Sequence, residues 1–95
     1  MAEPHHFQHP VCIYILSGCP YCKKAISMLR QAGVPHKALN LGRNPQLAAQ
    51  LSAETGSKTV PKIFIFGEFI GGADQLAQMM QSGELTQRLH RGTYG

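Results

Sequence analysis

The spacing of apolar positions changes along the chain, and each change marks an element. Residues 11–16 are an almost unbroken apolar run, rich in β-branched and aromatic side chains. That pattern predicts a strand covered on both faces, as in the middle of a sheet. Ser17-Gly18 breaks the run, and from Pro20 the period becomes helical. Cys22, Ala25, Ile26 and Leu29 fall on one face, while Lys23, Lys24, Ser27, Arg30 and Gln31 lie elsewhere. Pro20 suits a first helical position and Gly33 a stop. Residues 34–41 form a second, weaker strand candidate. Asn44-Pro45 opens another helix, with Leu47, Ala48 and Leu51 inward and Gly56 closing it. Residues 63–66 predict a strong strand, which Gly67-Glu68 turns into Phe69-Ile70 and Gly71-Gly72 ends. Residues 73–81 are helical, with Leu76, Met79 and Met80 as core filler. After Gly83, residues 84–91 form a short last helix resting on Leu85 and Leu89.

The predicted order is therefore β-α-β-α-β-β-α with a further helix. The first half is a βαβ unit, whose strands are parallel with a right-handed crossover. The second half is a hairpin followed by a helix. Four strands with helices on both faces, an α/β fold, is the simplest packing of these parts. At 95 residues only one such core can be built, assigned to residues 11–95. Residues 1–10 carry two prolines and three histidines without periodicity, and predict a frayed, disordered arm. His5, His6 and His9 could bind a metal, but a flexible tip is the better account.

Composition narrows the chemistry. Apolar residues at 43% and charged residues at 15% describe an ordinary globular chain. No apolar run is long enough to span a membrane, and residues 1–10 lack the features of a signal peptide, so the expected compartment is the cytoplasm. Against nine Lys and Arg stand five acids, of which Asp74 is the only Asp. Catalysis by paired carboxylates has almost nothing to work with. The net charge of +4 fits an anionic small molecule or an acidic protein surface. Its cations (Lys23, Lys24, Arg30, Lys37, Arg43, Lys58, Lys62, Arg88 and Arg91) are scattered rather than striped with aromatics. They read as a solvated surface, not a nucleic-acid interface.

Three short motifs carry chemistry. Cys19-Pro20-Tyr21-Cys22 lies where the first strand turns into the first helix. A sulfur there meets free backbone N–H groups and the positive end of the helix dipole, which favour a thiolate. Cys22, one turn later on the inner side, is placed to resolve what Cys19 attacks. Half a zinc site is the other use of this spacing, but Cys12 and the arm histidines are poor further ligands. Cys12, inside an apolar strand, reads as an inert small hydrophobe. Thr59-Val60-Pro61 precedes the third strand, and the residues allow a cis or a trans bond at Pro61. Gly71-Gly72-Ala73-Asp74 opens a helix to a ligand carboxylate; Asp74 alone favours a cap over a ligand amine.

Together these motifs resemble the glutaredoxin family over about residues 11–91. The Cys-Pro-Tyr-Cys tetrad, Thr-Val-Pro before Ile-Phe-Ile, and Ile-Gly-Gly-x-Asp stand in the family's order and spacing. The resemblance implies a thioredoxin fold with a four-stranded mixed sheet, a cis Pro61, and catalytic Cys19 and Cys22. It implies glutathione as co-substrate and no tightly bound cofactor or metal. Glutathione would pair with Val60 beside Thr59 and Pro61. Its γ-glutamyl end would meet Gly72, Ala73, Asp74 and Gln75, its glycine carboxylate Lys58, and Tyr21 would flank the sulfur. Many relatives carry Lys where this chain has Leu16. The thiolate here must therefore lean on the helix N-terminus and Lys23, and weaker glutathione binding is expected.

The implied function is a monomeric, glutathione-dependent thiol–disulfide oxidoreductase acting on protein disulfides and glutathionylated proteins. Two other readings belong to different classes. One is a module binding a glutathione-ligated iron–sulfur cluster through Cys19, which a colourless anaerobic preparation would remove. The other is a dithiol electron donor recharged by thioredoxin reductase, which coupled NADPH assays with the two reductases separate.

Overall fold

In a computed structural model, described over residues 5–92, the strand read as doubly covered is the inner strand β1, Val11–Ile15. It leads into helix α1, Pro20–Gln31, then strand β2, Lys37–Asn40, and helix α2, Pro45–Thr55. The second half runs through β3, Lys62–Ile65, and β4, Glu68–Gly71, to helices α3, Ala73–Ser82, and α4, Glu84–Arg91. The sheet order is β2-β1-β3-β4. β1 and β2 are parallel, whereas β3 runs antiparallel to both β1 and β4. This is the expected four-stranded mixed sheet of a thioredoxin fold.

Alternation along the inner strands explains the unbroken apolar run. Val11, Ile13, Ile63 and Ile65 pack with Ala25 and Leu29 of α1, Leu76 and Met79 of α3, and Leu85 of α4. The intervening Cys12, Tyr14 and Phe64 face the other way, onto Leu41 and onto Leu51 of α2. Each face thus buries one half of the pattern, so no polar position survives in β1.

Some boundaries differ from expectation. The second strand covers only Lys37–Asn40; residues 34–36 form a loop, and Leu41 begins a short 3-10 turn. An edge strand with one neighbour gains little from extension, and its side chains are mostly exposed. The hairpin corner is Phe66-Gly67 rather than Gly67-Glu68, since Ile65 pairs with Glu68. Both corner residues have positive φ, 47° and 82°, the requirement of a tight two-residue turn. Phe66 tolerates this because its ring is buried in the core and its N–H donates to the Pro10 carbonyl at 2.7 Å.

Residues 5–10 are not the frayed arm expected from their composition; residues 1–4 lie outside the described residues. His5–Phe7 forms a 3-10 turn, and His6 is 1% exposed. Its ring stacks on Phe64 with centroids 4.1 Å apart, while Nδ1 meets the Tyr14 hydroxyl at 2.9 Å and Nε2 meets Glu54 at 3.3 Å. A buried histidine satisfied at both nitrogens anchors the segment across the α2 face. Among the described residues no cluster of three metal-ligating side chains forms.

Candidate active site

Cys19 is the N-cap of α1, with extended backbone (φ −89°, ψ 111°) ahead of Pro20 at the first helical position. Proline has no N–H to lose there and sets φ for the helix. The Cys19 sulfur accepts from the Cys22 N–H at 3.2 Å, so one of the orphan donors of α1 points at that sulfur. The sulfur thus sits at the N-terminal end of the helix with a backbone donor directed at it. Cys19 is half-buried, whereas Cys22 is 1% exposed and packs in the protein. Burial, reinforced by the contact with Cys19, pushes the Cys22 thiol up to about 11. Both cysteines are free thiols. The result is an accessible sulfur that can attack and a shielded one that stays protonated until needed.

The Val60–Pro61 peptide bond is cis, as the resemblance implied. The β3 ladder begins only at Lys62, so the Val60 backbone stands clear of the sheet. Its carbonyl lies 3.9 Å from the Cys19 sulfur. Thr59 is exposed, its N–H and hydroxyl both meeting the Ser57 hydroxyl, at 3.3 and 3.1 Å. Lys58 is exposed beside it and Tyr21 is 60% exposed in the first turn of α1.

The third motif meets the second. A Cβ placed on Gly72 would lie 3.4 Å from the Pro61 carbonyl, and one on Gly71 only 2.8 Å from the Gln75 side chain. Gly71 also has φ 114°, so this approach needs glycine. Asp74 does not cap α3, contrary to the reading of the motif by itself. Gln75 reaches back instead, its Oε1 accepting from the Gly72 N–H at 2.8 Å. Asp74 stays exposed in the first turn and Ala73 is buried beneath it. The fold thus brings Cys19 to Val60 and Pro61 to Gly72, and leaves the Lys58, Tyr21 and Asp74 side chains exposed.

Two supports escaped the sequence reading. Lys62, counted there as a solvated cation, is 2% exposed and donates to the Thr59 carbonyl at 2.7 Å, tying down the loop that carries Val60. Burial lowers its affinity for the proton. Its alternation with Phe64 on the α2 face was the signal available. Asn40 at the end of β2 donates to the Ser17 hydroxyl at 2.8 Å and so fixes the loop before Cys19.

Fold and site together define a dithiol redox protein built on the thioredoxin architecture, with one half-buried and one buried sulfur at a helix start. The glutaredoxin family model matches residues 11–70, and the chain belongs to the glutaredoxin family. A glutaredoxin from Pseudomonas aeruginosa is 38% identical over 76 residues, covering 80% of this chain and 90% of its own length. Human glutaredoxin-1 is 34% identical and covers 83% of this chain and 80% of itself. A buckwheat glutaredoxin–glutathione complex superimposes with a TM-score of 0.85 at 26% identity, over 95% of this chain and 86% of that one. Thiol–disulfide oxidoreductase chemistry is the activity this family supports.

Proposed function

We propose that this protein is a glutathione-dependent oxidoreductase that reduces glutathione mixed disulfides and protein disulfides. One observation carries the reading: the Cys19 sulfur accepts from the Cys22 N–H and faces the Val60 carbonyl, on a loop clear of the sheet. A disulfide aligned on that sulfur has an extended backbone edge beside it. The similarity to a glutaredoxin solved with glutathione supports that tripeptide as the occupant.

In the one-cysteine route, the Cys19 thiolate attacks the glutathionyl sulfur of a mixed disulfide. The S–S bond breaks, the substrate leaves as a thiolate and takes a proton, and Cys19 carries glutathione. A second glutathione thiolate attacks that sulfur, releasing glutathione disulfide and the Cys19 thiolate. In the two-cysteine route Cys19 forms a mixed disulfide with a protein. Cys22 then loses its proton, attacks Cys19 and frees the reduced protein. Two glutathione molecules reduce the Cys19–Cys22 disulfide and leave as glutathione disulfide. Glutathione binds with its backbone along Val60 between Thr59 and Pro61, its glycine carboxylate toward Lys58 and its γ-glutamyl end against Gly72, Ala73, Asp74 and Gln75. Tyr21 flanks the sulfur. The protein works as a monomer, without a tightly bound cofactor, in the reducing cytoplasm.

Glutathione reductase and NADPH, coupled to turnover of hydroxyethyl–glutathione mixed disulfide, test the reading. Turnover that needs Cys19 and glutathione is expected. Reduction by thioredoxin reductase in place of glutathione would overturn it.

A further inference from the structure

Acids and cations are unevenly matched across the surface. Glu54 faces His6, while Glu68 and Glu84 share Arg88. Helix α1, in contrast, carries Lys23, Lys24 and Arg30 and no acid at all. All three are exposed, and among the described residues none of their side chains is in an ion pair or hydrogen bond.

Two of these cations share a stripe with the nucleophile. Counting from Cys19, the positions four, seven, eight and eleven residues on are Lys23, Ile26, Ser27 and Arg30. At 3.6 residues per turn they stay within about 100° of arc. The latter four, with Gln31, line a shallow groove of about 340 Å³ along the solvent side of α1. Ile26 is half-buried within it, and a cation stands toward each end.

We propose that this groove docks the polypeptide of the protein substrate and selects an acidic segment with an apolar residue between two carboxylates. The proposal rests on the reading that Cys19 reduces mixed disulfides of proteins. A rise of about 1.5 Å per residue puts Lys23, Ile26 and Arg30 about 6, 10 and 16 Å along the axis from Cys19. An extended chain advances about 3.3 Å per residue. Carboxylates about two and five residues from the target cysteine therefore meet Lys23 and Arg30, and an apolar residue about three away covers Ile26. No acid on α1 competes with the substrate's carboxylates for Lys23 and Arg30, and the unbalanced field draws an acidic chain to the nucleophile's own helix.

The experiment compares three glutathione mixed disulfides in the coupled reductase assay. One is a peptide with Glu two and five residues from its single cysteine and Leu at the third, made in both chain directions. The second has Lys for each Glu, and the third is the small hydroxyethyl compound. In one orientation kcat/KM for the acidic peptide should exceed that for the basic peptide by roughly tenfold, and roughly half-molar salt should close the gap. The double variant Ser27→Glu with Arg30→Glu, remote from Cys19, should reverse the preference and leave the small compound unaffected. Equal rates for both peptides in the unaltered protein would overturn the groove alone, as would a preference that survives the double variant. No turnover of any of the three would overturn the glutathione reading itself.

Discussion

Helices α1 and α2 begin the same way and do entirely different things. Each has a capping residue followed by proline, Cys19-Pro20 in one and Asn44-Pro45 in the other. In each, the capping side chain accepts from the N–H three residues on: the Cys19 sulfur at 3.2 Å, the Asn44 oxygen at 3.0 Å. The backbone device is shared, so it cannot be the source of the chemistry. What differs is the capping atom and its surroundings. Asn44 offers a neutral amide on an exposed corner, whereas Cys19 offers an ionisable sulfur with the Val60 backbone opposite and Cys22 one turn inside.

The sharpest way to separate cap from chemistry is Cys19→Asn, which copies the α2 cap onto α1. Activity on any disulfide should fall by at least about a thousandfold, the scale of losing a nucleophile. Stability should change by no more than about 1 kcal/mol, since a capping acceptor remains. An active Cys19→Asn protein in the coupled assay would remove Cys19 from the mechanism. Next in size is Cys22→Ser. It should abolish reduction of an insulin-type protein disulfide yet leave turnover of a small glutathione mixed disulfide within a few-fold, because only the two-cysteine route needs the buried thiol. Equal loss of both would mean that Cys22 supports the site rather than resolving intermediates.

Most of the architecture and all three motifs were legible in the sequence, because each rests on a local rule. The βαβ order follows from changes in hydrophobic period, and the cap and proline at Cys19 follow from spacing. What escaped depends on which distant elements come together. His6 sits in a polar, proline-bounded stretch, and only the juxtaposition of Tyr14, Glu54 and Phe64 makes burial favourable. Lys62 looked like a surface cation because its shelter comes from the packed α2 face and from a carbonyl three residues back. Asp74 looked like a cap because the competing Gln75 side chain is equally well placed in the same turn.

The anchor at the far end of α2 gives the next effect. His6→Ala removes a stacked ring and takes one hydrogen-bond partner from the buried Tyr14 hydroxyl. Chemical denaturation should show a loss of about 2–3 kcal/mol. Activity at saturating substrate should be unchanged, since His6 supports the face opposite α1. A similar loss is expected from alkali. Burial raises the Cys12 thiol from 9.0 to about 11. A folded state that holds this proton more tightly than the unfolded chain loses stability as pH rises from about 9 to about 11, by roughly 2–3 kcal/mol. Cys12→Ala should lose less over that window, a difference that cancels the other groups titrating there. Equal losses would show that Cys12 ionises without resistance and is not the sealed counterpart of Cys19.

The smallest effect completes the contrast between the two caps. Asn44→Ala leaves the Leu47 N–H without its side-chain acceptor, at an exposed corner where water can replace it. The expected loss is about 1 kcal/mol, read from the denaturation midpoint, with kcat and KM untouched. Asn44→Cys restores an acceptor of the α1 kind and should recover part of that stability. It should remain inert in a Cys19→Asn background, because among the described residues no second cysteine or carbonyl bonds to the side chain at this exposed corner. Disulfide reduction by the double variant would show that a cysteine at any proline-led helix start suffices. The opposite result assigns reactivity to the assembled site, in which the helix start supplies one donor and the loop at Val60 supplies the other wall.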